Sequence, residues 1–284
     1  MSLDPRTILA RADLAAADLE GLVRANRFAP TFATQVIAPA AAIRATPNPS
    51  AEQVDQLLFG ETFDRLEETN GFVWGQARRD GYVGFVEASA LADEINTPTH
   101  WVSVPRTFAF AEPSIKALAF GPISLNALVT ITEETETLAL ATGAGWIAKT
   151  HLSHIGDISA DPAAVAETFL GAPYLWGGRT GLGLDCSGLV QQSLYAAGLA
   201  CPRDADQQAW LGTPIEPDGL MRGDLVCWRG HIGMMLDETR LIHANAHHMA
   251  VAIEALAEAI ARIAAKGGGE PTAMRRPGRY VANT

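Results

Sequence analysis

The spacing of apolar positions divides the chain into four stretches. Residues 6–27 carry Ile8, Leu9, Ala12, Ala15, Ala16, Leu19, Leu22 and Val23 at helical intervals and predict a helical arm. From residue 35 the runs shorten. Gln35-Val36-Ile37, Ala41-Ala42-Ile43, Leu57-Leu58-Phe59, Phe72-Val73-Trp74 and Tyr82-Val83-Gly84-Phe85-Val86 are brief β-rich stretches broken by Pro39, Pro47, Asn48, Pro49 and glycines. That turn chemistry predicts a small antiparallel barrel. Residues 99–155 repeat the layout. Ala119-Phe120-Gly121 matches Leu58-Phe59-Gly60, and Gly145-Trp146-Ile147 matches Gly84-Phe85-Val86. Gly60 to Gly84 and Gly121 to Gly145 both span 24 residues, which favours two copies of one unit.

Beyond residue 158 a third kind of unit begins. Pro162 to Leu170 reads as a helix, and Gly171 to Arg179 as a turn-rich approach to a second one. In that second helix Leu189, Val190, Leu194 and Ala197 share one face. Asp185 stands where a helix start is capped and Gly198 where a helix stops. Strands are predicted over Gly223–Trp228, Ile232–Leu236 and Arg240–Ala244, and a helix over Glu254–Ala265. A helix followed by antiparallel strands is an α+β layout. The plan is therefore an N-terminal helical arm (1–34), a first barrel (35–92), a second barrel (93–157) and an α+β unit (158–284).

Composition narrows the functions. A hydrophobic share of 48% over 284 residues supports buried cores, and a net charge of −11 argues against nucleic acid and anionic membranes as partners. No run approaches the roughly 18 apolar residues of a membrane span. Met1 to Gly21 has no signal-peptide pattern, so a cytoplasmic location is expected, although Met1-Ser2-Leu3 could be a cloning remnant that replaces a natural leader. The cysteines Cys186, Cys201 and Cys227 form no C-x-x-C pair, which fits reduced thiols and gives no zinc signature.

Cys186 falls at the first position of the predicted helix. Unpaired N–H groups and the positive end of the helix dipole favour a thiolate there. A sulfur nucleophile needs a base, and the base needs an orienting group. The candidates are His231 and His243, which become cross-strand neighbours if a hairpin turns at Asp237-Glu238. His100, His151 and His154 are expected to be ordinary structural residues. A metal cluster of His243, His247 and His248 lacks the expected ligand spacing. Neither a metal nor any other cofactor is expected.

Tyr174-x-Trp176-Gly177-Gly178, Asp185-Cys186-Ser187-Gly188, Gly230-His231-Ile232-Gly233 and His243, in that order, resemble the NlpC/p60 family of papain-like cysteine peptidases over about Pro162 to Arg279. Leu58-Phe59-Gly60-Glu61 and Asp80-Gly81-Tyr82-Val83-Gly84-Phe85 resemble the bacterial SH3 domain. Two such domains, with Pro202-Arg203-Asp204 and His243-Ala244-Asn245-Ala246-His247-His248, are similar to the γ-D-glutamyl dipeptidyl-peptidase branch. The resemblance implies Cys186 as nucleophile, His231 as base and His243 as its orienting residue, with Tyr174 helping to hold the oxyanion. It implies that Trp176, Asp185 and Ser187 line the cleft and that Tyr82 closes one end. Asp204, or else Glu61, would hold the ammonium of an N-terminal L-Ala. Ala205 stands where some relatives are expected to carry Ser. The implied substrate is a small murein peptide, L-Ala-γ-D-Glu joined to diaminopimelate or Lys, cut after γ-D-Glu in cell-wall peptide recycling. Two alternatives stay open: an idle SH3-based module that binds wall or peptide, and a thiol-dependent amidase or acyltransferase. Oligomeric state is not legible.

Overall fold

The structure is a computed structural model and describes residues 4–278; Met1 to Leu3 and Arg279 to Thr284 lie outside the described residues. The chain divides into two compact units, Met1–Ile155 and Gly156–Thr284, with both barrels in the first. The architecture is mixed α+β.

In the first barrel Phe72–Ala77 pairs with Thr62–Thr69 on one side and Val83–Glu87 on the other. Alternation along Phe72–Ala77 splits its side chains between two faces. Val73 and Ala77 join Val36, Ile43, Leu57, Phe63, Tyr82 and Val86 in the barrel core. Phe72 and Trp74 point the other way and, with Phe85, form a second apolar cluster outside it.

That outer cluster explains why the N-terminal helical arm does not form. Leu9, Leu14 and Ala16 pack on Phe72, Trp74 and Phe85, and Ala15–Ala16 pairs with Phe28–Ala29. Among the described residues of the segment, the one helical piece is a single 3-10 turn, Ala17–Leu19. A row of aromatic rings on a flat strand surface is covered better by an extended chain. Tertiary burial therefore overrides the helical spacing of alanines and leucines.

The two barrels are copies, but in a different register from the one the sequence suggests. Both end on the same succession of a strand, a 3-10 turn and a short strand: Val83–Glu87, Ala88–Ala90 and Leu91–Ala92, against Gly145–Ala148, Lys149–His151 and Leu152–His154. Gly60, however, corresponds to Asn126 and not to Gly121. The Gly60 N–H donates to Val36 O at 2.8 Å and the Glu61 N–H to Leu58 O at 3.0 Å. In the second barrel the Asn126 N–H donates to Val102 O at 2.8 Å and the Ala127 N–H to Ser124 O at 3.1 Å. Gly60 and Asn126 both take positive φ, +78° and +66°, a conformation open to Gly and tolerated by Asn. The matching 24-residue spacing is thus a coincidence. Gly75 pairs with Gly84 in the first barrel and Ala141 with Gly145 in the second, so the second hairpin is five residues shorter (nine against four). The missing five include the place of Tyr82.

The barrels lean on one another. Leu58 and Phe59 of the first belong to the core cluster of the second, and the Leu128 N–H donates to Phe59 O at 2.9 Å. Gly60 is held where a Cβ would lie 2.0 Å from Leu128 O, a backbone atom that cannot step aside. Gly60→Ala therefore combines a clash with a strained φ and should destabilise the first unit by at least about 2 kcal/mol. Urea unfolding followed by tryptophan fluorescence measures this.

The second unit is built on a six-stranded sheet in the order Thr213–Pro214, Ala273–Arg276, Leu225–Trp228, His231–Met235, Arg240–Asn245, Ala250–Ala255. Helices α1 (Pro162–Glu167) and α2 (Cys186–Ala196) pack together, and α2 lies against the strands His231–Met235 and Arg240–Asn245. Helix α3 (Ala205–Gln208) is one short turn. Helix α4 (Leu256–Ala265) covers Val226, Trp228, Met235 and Leu241 on the sheet. The expected helix over Glu254–Ala265 begins two residues late, because Ala250–Ala255 is a strand paired with Arg240–Asn245.

Candidate active site

Helix α2 begins as its sequence predicts. Asp185 is the N-cap, and its Oδ1 accepts from the Gly188 N–H at 2.7 Å, which leaves Cys186 at the first helical position. The preceding turn presses close: a Cβ on Gly188 would lie 2.1 Å from Gly178 O, so that contact requires glycine. Asp185 also accepts from the Gly177 N–H at 2.9 Å and from both guanidinium nitrogens of Arg203, Nη1 at 3.0 Å and Nη2 at 2.6 Å. Ser187 Oγ donates to Asp185 at 3.3 Å and accepts from Arg203 at 2.8 Å. All three side chains are buried. Asp185 and Ser187 were expected to line the cleft. Their polar atoms are instead committed to one another and to Arg203, so they fix the nucleophile's position from below. Arg203 entered the sequence reading only as part of the Pro202-Arg203-Asp204 motif, with no role of its own.

His231 opens its strand and His243 lies on the next one. The register Met234↔Ile242 and Met235↔Leu241 puts both rings on one face of the sheet. His231 Nε2 and His243 Nδ1 are 2.8 Å apart, and His243 Nε2 is 2.7 Å from Glu254 Oε1. Arg262 of α4 closes the series with a hydrogen bond to Glu254 Oε1 and a second at 3.4 Å to Oε2. The backbone N–H of Ile232, next to His231, acts on the Cys186 sulfur and favours its charged form. With Nε2 of His231 engaged by His243, Nδ1 is the nitrogen left for a thiol proton. Glu254 and Arg262 were not anticipated as site residues. The available signal was the alternation of Val251 and Ile253 after the His247-His248-Met249 turn, which marks Glu254 as a strand residue.

Burial sets the resting protonation. It pushes the Cys186 thiol up to about 12, aided by the charge of Asp185 and only partly offset by the Ile232 N–H and Arg203. Burial likewise pushes His231 down to about 3, aided by His243 and Arg262, and His243 down to about 4 against the pull of Glu254. The helix-start thiolate expected from sequence is therefore a neutral thiol at rest: desolvation and a neighbouring carboxylate outweigh the helix dipole. Tyr174 is also pushed up, by burial and then by the charges of Cys186 and Asp185, so its phenol keeps its proton beside the sulfur.

The remaining expected site residues separate. Trp176 is 60% exposed on the turn before α2. Asp204 is half-buried at the N-cap of α3 in a capping box with Gln207, one residue from Arg203. Ala205 follows it, buried. Tyr82 is 6% exposed and belongs to its own barrel's core cluster. Glu61 is spent inside the first unit, where its carboxylate accepts from the Leu58 N–H and from Arg79 Nη1, each at 3.0 Å. Of the two residues offered for a substrate ammonium, Asp204 is the one the second unit holds. His243, His248 and Glu254 place ligand atoms within 4.8 Å of one another. Two of the three are already engaged elsewhere: the Arg262 guanidinium hydrogen-bonds Glu254, and His248 Nδ1 lies 3.0 Å from Asn245 Oδ1.

A nucleophilic thiol at a helix start, with a hydrogen-bonded histidine pair on the adjoining sheet, defines a papain-like cysteine peptidase. The sequence pattern of the NlpC/P60 family matches residues 171–264, and that of the bacterial dipeptidyl-peptidase Sh3 domain matches residues 43–91. Dipeptidyl-peptidase 6 of Lysinibacillus sphaericus is 30% identical over 239 residues, which is 74% of this chain and 86% of that protein. Gamma-D-glutamyl-L-lysine dipeptidyl-peptidase of Bacillus subtilis (strain 168) is 27% identical over 228 residues, 72% of this chain and 76% of that protein. The crystal structure of an NlpC/P60 family protein from Bacillus cereus ATCC 10987 superposes with a TM-score of 0.73 at 21% identity, covering 86% of this chain and 99% of that one. The chain belongs to the NlpC/P60 family, and it is a cysteine peptidase.

Two outcomes follow from the buried charges. Arg203→Met strands the Asp185 carboxylate and should cost roughly 3–5 kcal/mol in denaturant unfolding. Both histidines bind protons more weakly in the folded chain than at their ordinary 6.5. The unfolded chain therefore takes up protons that the folded one refuses. Stability is full above pH 6.5 and falls as pH drops towards 4, by roughly 3 kcal/mol for His231 alone. Thermal unfolding from pH 7.5 to 4 checks this, and His231→Gln should flatten the slope.

Proposed function

We propose that this peptidase hydrolyses the bond between γ-D-Glu and a diamino acid, diaminopimelate or Lys, in small peptidoglycan peptides that carry a free N-terminal L-Ala, releasing L-Ala-γ-D-Glu. The observation that carries the reading is the hydrogen-bonded His231–His243 pair beside the Cys186 helix start. The bond itself is taken from the relatives named γ-D-glutamyl-L-lysine dipeptidyl-peptidases.

In this mechanism the resting thiol and imidazole are both neutral. When the peptide carbonyl reaches the sulfur, His231 Nδ1 takes the thiol proton as Sγ attacks the γ-D-Glu carbonyl carbon. The oxyanion receives the Tyr174 O–H and a backbone N–H of the first turn of α2 not claimed by Asp185. The C–N bond breaks, and His231 returns its proton to the leaving amine. Water, deprotonated by the same nitrogen, then cleaves the thioester and regenerates the thiol. His243 holds the His231 ring throughout.

Asp204 supplies the free-amine requirement: a carboxylate next to the anchored Arg203, half-buried, suits an ammonium group. A charge of −11 suits a small soluble peptide better than an intact anionic wall, which agrees with wall-peptide recycling in the cytoplasm.

Incubation with L-Ala-γ-D-Glu-diaminopimelate, its Lys analogue and N-acetylated copies tests this. The free-amine peptides should release L-Ala-γ-D-Glu, and acetylation should lower kcat/KM about 10- to 100-fold, the worth of one hydrogen bond to a charged group. Asp204→Asn should erase most of that preference, and Cys186→Ala should abolish cleavage. Equal cleavage of both forms would remove the amine requirement. Peptide binding without cleavage by the wild-type protein would favour the idle binding module.

A further inference from the structure

The catalytic reading uses His231 and His243 but leaves Glu254 and Arg262 without a part. The carboxylate sits on the sheet's edge strand and the guanidinium in α4. Protonation logic gives them one. Burial alone would raise Glu254, but the Arg262 hydrogen bond and the charges of His243 and Arg262 outweigh it and hold the carboxyl below its ordinary value. An ionised carboxylate has no proton to give. The proton in the 2.7 Å contact between His243 Nε2 and Glu254 Oε1 therefore belongs to the histidine. A neutral imidazole carries one N–H, so His243 Nδ1 is bare. It can only accept, so the proton in the 2.8 Å contact with His231 belongs to His231 Nε2. That leaves His231 Nδ1 bare, as a base needs.

Resting on the proposed catalytic roles, we infer that Glu254 and Arg262 are a positioning pair. The carboxylate fixes the tautomer of His243 and, through it, that of His231. The guanidinium keeps the carboxylate from drawing a second proton onto His243. The second part matters because a doubly protonated His243 would present Nδ1–H to His231. His231 would then have to accept at Nε2 and carry its own proton on Nδ1, where the thiol proton must go. The titratable and charged groups that act on His243 are His231 from its neighbouring strand, Glu254 from the edge strand, Arg262 from α4 and His248 from the adjoining turn. Arg262 is the permanent cation among them.

The test compares wild type, Glu254→Ala, Glu254→Gln and Arg262→Met. Two readouts are used across pH 4.5–9: peptide hydrolysis, and the rate at which iodoacetamide alkylates Cys186. Alkylation does not depend on which peptide is the substrate. Glu254→Ala should lower kcat about 10- to 100-fold with little change in KM, as expected for loss of a group that orients a site residue. Glu254→Gln keeps an acceptor oxygen and should recover most of that loss; recovery also separates tautomer control from a folding defect. Arg262→Met removes a repelling cation, so His243 gains proton affinity. The acid limb of kcat/KM and of the alkylation rate should move up by about one pH unit or more. Equal losses in Glu254→Ala and Glu254→Gln, or an unmoved acid limb in Arg262→Met, would overturn the inference. If wild type alkylates at Cys186 yet cuts no γ-glutamyl peptide, the substrate reading fails, while a shifted alkylation limb in Arg262→Met still upholds the positioning pair.

Discussion

The Asp185 carboxylate holds the active end of the second unit together. It caps α2, ties down the Gly177 turn and grips a buried guanidinium that arrives from beyond the helix's far end. Each contact alone is ordinary. Together they satisfy both oxygens of a buried charge, the condition under which such a charge is tolerated. The cost of leaving any of them unmade ties two other stretches of chain to the first turn of one helix. Gln208 extends the clamp: its Nε2 donates to Ser187 O at 3.0 Å and to Pro202 O at 2.8 Å, joining α3 to the same turn. The sulfur is placed by this frame and not by its own packing.

The frame has an electrostatic consequence. A carboxylate one residue from the sulfur opposes a thiolate, and Arg203 only partly offsets it. The site therefore stores its reactivity as two neutral groups, each of which would be expensive to charge alone in the same buried place. Proton transfer from sulfur to His231 creates both charges at once, side by side, so each offsets the other's desolvation. Reactivity then depends on an electrophile, the peptide carbonyl or a small alkylating agent, that meets the sulfur as the proton leaves.

Much of this was legible in the sequence, for physical reasons. Asp185 before Cys186, with Leu189, Val190 and Leu194 on one face, carries enough local information to fix a helix and its first residue. His231 and His243 are spaced for adjacent strands of a hairpin. The misreadings share a cause: local periodicity is ambiguous when tertiary contacts decide. Leu9 and Ala16 fit a helix as well as an extended cover, and only the ring cluster of Phe72, Trp74 and Phe85 selects the cover. Glu254 begins a plausible helix until its strand neighbour Leu241 claims it. Arg203 looks solvated until the buried Asp185 claims it. Tyr82 is an aromatic in a Gly-rich turn, and sequence does not tell which side of a strand wall its ring occupies.

The displaced register of the second barrel bears on why there are two. Were the copies equivalent, the shorter hairpin of the second would be a neutral variation. They are not, because the longer hairpin of the first carries Arg79, whose Nη1 donates to Glu61 in its own barrel and to Asn126 O in the other at 2.9 Å. Asn126 is the second barrel's counterpart of Gly60, held at positive φ so that its carbonyl is available at that place. Phe59, beside Gly60, is buried in the second barrel's core. The turn that each barrel inherits is thus used differently, to insert a side chain in one copy and to offer a carbonyl acceptor in the other. The second copy fixes the elaborated hairpin of the first, and that task needs its core and its Asn126 turn but no long hairpin of its own.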